Sequence, residues 1–384
     1  MSPINEKRIE QIDRTYWKDH QVDGIAFTRW MHSDGYYGFG TDADNAIFTG
    51  FYLAAAAFHY GMTKNGEDLK KIEDTLDGIH LLTHISGTPG VLARLAFPLE
   101  DAFQRIGYSP ESQQPKPAGW GPGNTWTDRK VEGSMYESDT HFYYCRTTRD
   151  QLTGIVYGLS VAWNILGKNR NIRVMDKIKT ITKNLVDRLE DTNWSMKDHT
   201  GLVGDTGSAH RPRYQLKYAL LHLNYIANGG KKPSSFRIRM LYKFMWFHTF
   251  YYRFTQQMFA WNLRSATAFS LWINETDVEQ RLGAIKWMKR ISSFTKDEDN
   301  AFFVFTESAM TNVLPDRIKR AYERLEDLAA VGHNKFFAWQ KSKGEADVAG
   351  TGGVTGPGID VLLPYWAYTY QCEGNVPWDR EAIV

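Results

Sequence analysis

Two aspartate-led turns carry the residues of this chain best suited to proton transfer. One is Gly40-Thr41-Asp42-Ala43-Asp44-Asn45 and the other Thr147-Thr148-Arg149-Asp150-Gln151; each leads into a stretch of helical period. Cleavage of a glycosidic bond needs a carboxyl group that delivers or accepts a proton beside the leaving oxygen. Asp42, Asp44 and Asp150 are therefore candidate acid/base groups, with Asp150 foremost because a long aromatic loop, Arg146 and Arg149 precede it. Aspartate at a helix start is also an ordinary cap, stabilised by exposed backbone N–H groups, so the bland alternative is three caps.

Arginine forks bind carboxylates through paired hydrogen bonds, which makes Arg146, Arg149, Arg211 and Arg213 candidate anchors for an acidic sugar or a sulfate. Arg211 and Arg213 share the segment 204–213 with Asp205 and His210, just before another helical run. His210 is a candidate base or a hydrogen-bond partner for a sugar hydroxyl, against a purely structural histidine. His141, in Asp139-Thr140-His141-Phe142-Tyr143-Tyr144, suggests elimination as a second chemistry: a neutral His or Tyr removes a proton next to a carboxylate that an arginine neutralises. Its alternative is a half-buried, strand-like aromatic run. Trp120, Trp126 and Trp339 lie in or near loops, where indole faces stack on sugar rings.

The elements that must position these groups are helices. Apolar residues recur three and four apart through Ile47, Phe51, Ala54 and Phe58, then through Leu69, Ile72, Leu76 and Ile79 beyond the turn Thr63-Lys64-Asn65-Gly66. Leu152 to Leu166 and Val174 to Leu189 repeat the pattern as a second hairpin. Later runs at Leu216–Ile226, Met240–Phe254, Met258–Leu271, Leu282–Ile291, Ala301–Met310, Ile318–Leu328 and Ile359–Tyr370 bring the expectation to about a dozen helices. An all-α ring of helical hairpins follows, read as a single domain over 1–384 with a long loop insertion at about 87–140. That insertion is rich in Gly, Pro and Trp, and a loop of such length in a compact domain is usually functional.

Composition narrows the partners. Hydrophobic residues make up 42% and charged residues 23%, ordinary for a globular chain, while 46 basic against 44 acidic side chains leave a net charge of +2. That balance provides no global field for nucleic acid or an anionic membrane. Aromatic residues reach 14%; many must be core, and the tryptophans in or near loops together favour a carbohydrate ligand over a compact polar metabolite. Cys145 and Cys372 stand far apart and form neither a disulfide framework nor a metal site. Asp42-Ala43-Asp44-Asn45 lacks the glycine and closing glutamate of a calcium loop, and the 350–358 glycine run lacks a Gly-Lys-Ser/Thr ending, so no metal and no cofactor are expected. The first residues carry no apolar signal core and no run of roughly 18 apolar residues follows, so as written the chain is expected in the cytoplasm, or exported if a leader has been removed.

These segments resemble the (α/α)6-toroid carbohydrate-active enzymes, above all the unsaturated glucuronyl and rhamnogalacturonyl hydrolases. Thr41-Asp42-Ala43-Asp44-Asn45 with Phe51-Tyr52-Leu53-Ala54-Ala55-Ala56 is similar to that group's aspartate turn and small-residue helix. Arg149-Asp150-Gln151-Leu152-Thr153-Gly154 resembles its second aspartate-led helix, and Leu363-Pro364-Tyr365-Trp366 a closing helix. The resemblance implies a cleft at one end of an (α/α)6 toroid, with Asp150 as acid/base, Asp44 as its polarising partner and Arg146 or Arg211 on the substrate carboxylate. The expected activity is a glycoside hydrolase of an oligo- or polysaccharide, acidic in character. A polysaccharide lyase and a non-catalytic glycan-binding or assembly subunit are the alternatives.

Overall fold

A computed structural model describes residues 6–31, 37–40, 44–99, 135–145, 147–168, 171–203, 210–230, 232–233, 258–296, 300–311, 313–331, 354–355 and 357–372. The described residues form eleven helices. They are α1 (Glu6–Asp19), α2 (Asn45–Thr63), α3 (Gly66–His84), α4 (Arg149–Lys168), α5 (Ile172–Asp191), α6 (Tyr214–Asn228), α7 (Met258–Ile273), α8 (Val278–Thr295), α9 (Ala301–Met310), α10 (Pro315–Val331) and α11 (Ile359–Cys372). The run expected at Met240–Phe254 lies outside the described residues. α1 was not anticipated, although Ile9, Ile12 and Tyr16 stand at helical spacing and are buried.

The helices divide into two layers according to how their apolar residues are spread. α2, α9 and α11 are buried along almost their whole length, whereas α3, α5 and α8 bury one face and give the other to solvent. A helix apolar all round belongs inside, and one with a single apolar stripe belongs outside. α2 packs on α4, α4 on α6 and α7, α7 on α9, α9 on α11, and α11 returns to α2, so the inner layer closes on itself. α3, α5, α8 and α10 follow their inner partners in the chain as hairpins, and α1 covers α10 and α11. This is an all-α arrangement of the toroid type, with no closed β-barrel among the described residues. No described helix is long and apolar enough to cross a membrane.

The inner helices run parallel. Ile47 of α2 meets Gly154 of α4 and Gly61 meets Ile165; further round, Tyr157 meets Phe269, and Asn164 Nδ2 donates to Ile273 O at 2.8 Å. Their first turns thus gather at one end of the ring. Along the axis, Phe51, Tyr157 and Phe302 contact one another edge-on from three helices at centroid distances of 5.5, 6.0 and 6.1 Å, and Phe269, Phe58 and Tyr370 continue the column.

α2 and α4 touch backbone to backbone. Gly50, Gly154 and Gly158 line the seam: a Cβ on Gly154 would stand 2.6 Å from Ile47 Cα, and one on Gly158 2.9 Å from the Gly50 carbonyl carbon. Such an approach sets the spacing of the two aspartate-led first turns. Asp13 of α1 accepts from Tyr52 Oη at 2.9 Å and from Lys71 Nζ at 2.5 Å, fastening α1 to the first hairpin.

Three small antiparallel sheets sit outside the helices: β1 (Gln21–Val22) with β2 (Ile25–Ala26); β4 (Tyr37–Gly40), β3 (Thr28–Met31) and β8 (Val354–Thr355); and β5 (Leu95–Pro98), β7 (His141–Tyr144) and β6 (Met135–Glu137). The third sheet takes both ends of the loop expected at 87–140 and pairs Leu95 with Tyr144 and Pro98 with His141.

Candidate active site

α4 opens on the Gln-to-Thr half of a capping box. Thr148 O accepts the first helical bond from Leu152 N, while the Gln151 side chain reaches back, its Oε1 accepting from Thr148 N at 3.2 Å and from Thr148 Oγ1 at 2.6 Å. This Thr-x-x-Gln pattern satisfies the N-cap donors. Asp150 is the second residue of this helix and takes no part in the Thr148–Gln151 bonds.

Asp44 occupies the cap position of α2 and makes no cap bond with its side chain. The Ala46 N–H donates instead to the Arg94 carbonyl at 2.9 Å, and Asn45 ties the helix start to β2 through Nδ2 to Ala26 O at 2.8 Å. Asp44 Oδ1 accepts from Gln151 Nε2 at 2.7 Å and from Arg94 Nη2 at 3.3 Å. Arg94 is itself held, its N–H on Tyr144 O at 2.6 Å and its guanidinium 5.8 Å from the Tyr144 ring centroid. Arg149 Nε stands 3.9 Å from Asp150 Oδ1. The result is two carboxyl groups and two guanidiniums at the junction of α2, α4 and the third sheet, with the Asp44 and Asp150 side chains 31% and 30% exposed.

Burial pushes the Asp44 carboxyl above the usual aspartate range; the Arg94 guanidinium pulls it down, the Asp150 charge pushes it up again, and the net displacement is upward. Asp198 shows the opposite pattern. Burial works to raise it, but donors from Thr200, Tyr136 and Leu202 prevail and hold it below the usual range. Its Oδ1 accepts from Thr200 N at 2.9 Å, Thr200 Oγ1 at 2.7 Å and Leu202 N at 2.9 Å, and its Oδ2 from Tyr136 Oη at 2.7 Å. Asp198 is a carboxylate satisfied on both oxygens that folds the 198–202 turn, whereas Asp44 is bonded through one oxygen only among the described residues. Nearby, burial and Asp198 push the Cys145 thiol up, so it does not supply a thiolate.

The upward displacement of Asp44 gives a pH prediction. The folded state holds this proton more tightly than the unfolded chain, so the associated stability is complete below the ordinary aspartate range and is lost as pH rises through the raised value. Asp44→Asn keeps an acceptor for Gln151 without the charge. The variant should melt higher than wild type at neutral pH, with the gap closing as pH falls toward 4; thermal melts showing a gap that widens on acidification would contradict this.

The other candidates are distributed differently. His141 Nε2 lies 3.2 Å from Asp23 Oδ2 and its Nδ1 2.8 Å from Thr140 Oγ1, at the far end of β7 from Tyr144 and so about 10 Å along the strand from the Arg94 contact. His210 precedes α6, where its carbonyl accepts from Met196 N at 2.8 Å; Arg213 is the cap residue of α6 without a side-chain cap bond, and Arg211 is exposed. The His141 side-chain contacts, to Asp23 and Thr140, do not reach the Asp44–Asp150 pair. Asp42, Trp120, Trp126, Arg146 and Trp339 lie outside the described residues. Sequence reasoning missed two members of the cluster. Gln151 was detectable as the fourth residue of a Thr-x-x-Gln box; Arg94 carries no local signal, because β5–β7 pairing brings it in from a distance.

No known family model matches the chain, and no curated protein matches it. Among solved structures it is similar to one titled "Crystal structure of unsaturated glucuronyl hydrolase specific for heparin", at 10% identity and a TM-score of 0.46, over 96% of each chain. A likeness at that level assigns neither fold nor reaction.

Proposed function

We propose that the chain is a glycoside hydrolase of acidic oligo- or polysaccharides in which Asp44 and Asp150 form the acid/base pair. The observation that carries this reading is the state of Asp44. It stands where a cap belongs, does not cap, and is held instead by Gln151 and Arg94 beside a second carboxyl group. A carboxyl group with a raised pKa beside a second carboxyl is the equipment of glycosidic hydrolysis. The two guanidiniums at the same junction suit a substrate that carries carboxylate or sulfate.

The test is to incubate the purified protein with uronate-containing oligosaccharides, saturated and with a C4–C5 double bond at the non-reducing end. New reducing ends without new double-bond absorbance support hydrolysis. Rising ultraviolet absorbance would establish elimination in its place, and binding without any product would establish a glycan-binding subunit.

A further inference from the structure

We propose that Asp44, rather than Asp150, is the proton donor of the pair, and that Gln151 is the positioning residue that fixes which Asp44 oxygen carries the proton. The proposal rests on the hydrolase reading above.

Its basis is the asymmetry of the Asp44 carboxyl. Both of its hydrogen-bond donors, Gln151 Nε2 at 2.7 Å and Arg94 Nη2 at 3.3 Å, fall on Oδ1. The Gln151 amide cannot turn over. Its Oε1 already accepts from Thr148 N and Thr148 Oγ1, and a flip would set the NH2 against the Thr148 N–H and the carbonyl against a carboxylate. Gln151 is fully buried, so no water replaces either partner cheaply. A proton on Oδ1 would displace a donor that has nowhere else to go, and Oδ2 therefore carries it.

Asp150 lies in the opposite setting. The exposed N–H groups of the first turn of α4 and the Arg149 guanidinium at 3.9 Å favour its charged form. The charged and titratable groups facing Asp44 among the described residues are Arg94 before β5, Asp150 on α4, and Arg149 and Tyr144 at one remove. Burial and Asp150 outweigh Arg94 and leave the Asp44 proton more tightly held than in an ordinary aspartate. Two carboxyls whose surroundings drive them apart divide the acid and base roles. In the reaction the glycosidic C–O bond breaks as its oxygen takes the proton from Asp44 Oδ2. A water oxygen bonds to the anomeric carbon and gives its proton to Asp150, and exchange with solvent restores the starting state.

Two measurements test this. The first is an NMR titration of isotope-labelled aspartate Cγ atoms, with Asp44→Asn identifying the resonance. Asp44 should titrate above the ordinary aspartate range, move down in Asp150→Asn as the neighbouring charge is removed, and move up in Gln151→Glu, which keeps the acceptor for Thr148 but replaces a donor to Asp44 with a second carboxyl. An Asp44 that titrates at or below the ordinary range, or is unmoved by Gln151→Glu, overturns the proposal.

The second compares aryl and alkyl uronides. A 4-nitrophenolate leaving group needs no proton, so Asp44→Asn should lose about 10²-fold with a methyl leaving group and under about 10-fold with nitrophenol. If Asp150→Asn shows that leaving-group dependence instead, the roles are reversed. Wild-type protein that cleaves none of these probes overturns the hydrolase reading and the donor role with it, whereas an ordinary Asp44 titration in an active enzyme overturns the donor role alone.

Discussion

Gly50→Val should deprive the chain of its native fold or lower its stability by at least about 3 kcal/mol, the upper end of overpacking costs. The reason is the seam between α2 and α4. A Cβ on Gly50 would sit on the Gly154 carbonyl, with Ile155 N 2.5 Å away, and these obstacles are backbone that no rotamer change can move. The first turns that hold Asp44 and Asp150 would separate as the helices parted. Gly66→Ala is the control. Nothing lies within 4 Å of a Cβ there, and an alanine in the first turn of α3 should leave stability unchanged or raise it by up to about 1 kcal/mol. Denaturant unfolding of the two variants checks both statements, and a Gly50→Val protein as stable as wild type would show that the seam is looser than its geometry.

Asp150→Asn should lower turnover by at least about 10²-fold, the ordinary contribution of one acid/base group, with the fold intact. Asparagine has the same shape, the Thr148–Gln151 box that starts α4 does not involve position 150, and the side chain is partly open to solvent. Circular dichroism and melting temperature should therefore match wild type while product release falls. Near-normal turnover would take Asp150 out of the chemistry and leave it as a first-turn acid that merely favours its helix. Ligand affinity should change far less than rate, because the charge that Asp150 presents is needed most when the attacking water loses its proton.

The helices were legible because their information is local. The period of Ile47, Phe51, Ala54 and Phe58 is a property of neighbouring residues, and it made α2 readable before any contact was known. The same holds for the starts of α2 and α4, and so for the candidacy of Asp44 and Asp150. What was not readable is how those starts meet. The Gly50, Gly154 and Gly158 seam lies between helices a hundred residues apart, and a glycine within a helical run gives no sign of which backbone will approach it. Arg94 reaches Asp44 only because its N–H docks on Tyr144, a long-range strand contact without a local pattern. The choice between acid/base group and helix cap at Asp44 and Asp150 illustrates the limit. At α4 the start is held locally, by the Gln151 side chain on Thr148, whereas at α2 the Asp44 carboxyl is drawn away from capping by Gln151 and Arg94, both remote in sequence.

The parallel course of the inner helices carries an electrostatic consequence. Each helix bears about half a positive charge at its first turn and half a negative charge at its last, and in a bundle of alternating helices these cancel at every end. Here the inner first turns converge on the face that holds Asp44 and Asp150, while the outer helices, running the other way, bring their last turns to its rim. The backbone thus contributes positive potential at the centre of that face and negative potential at its margin, and offsets part of the negative charge that Asp44 and Asp150 bring to the centre.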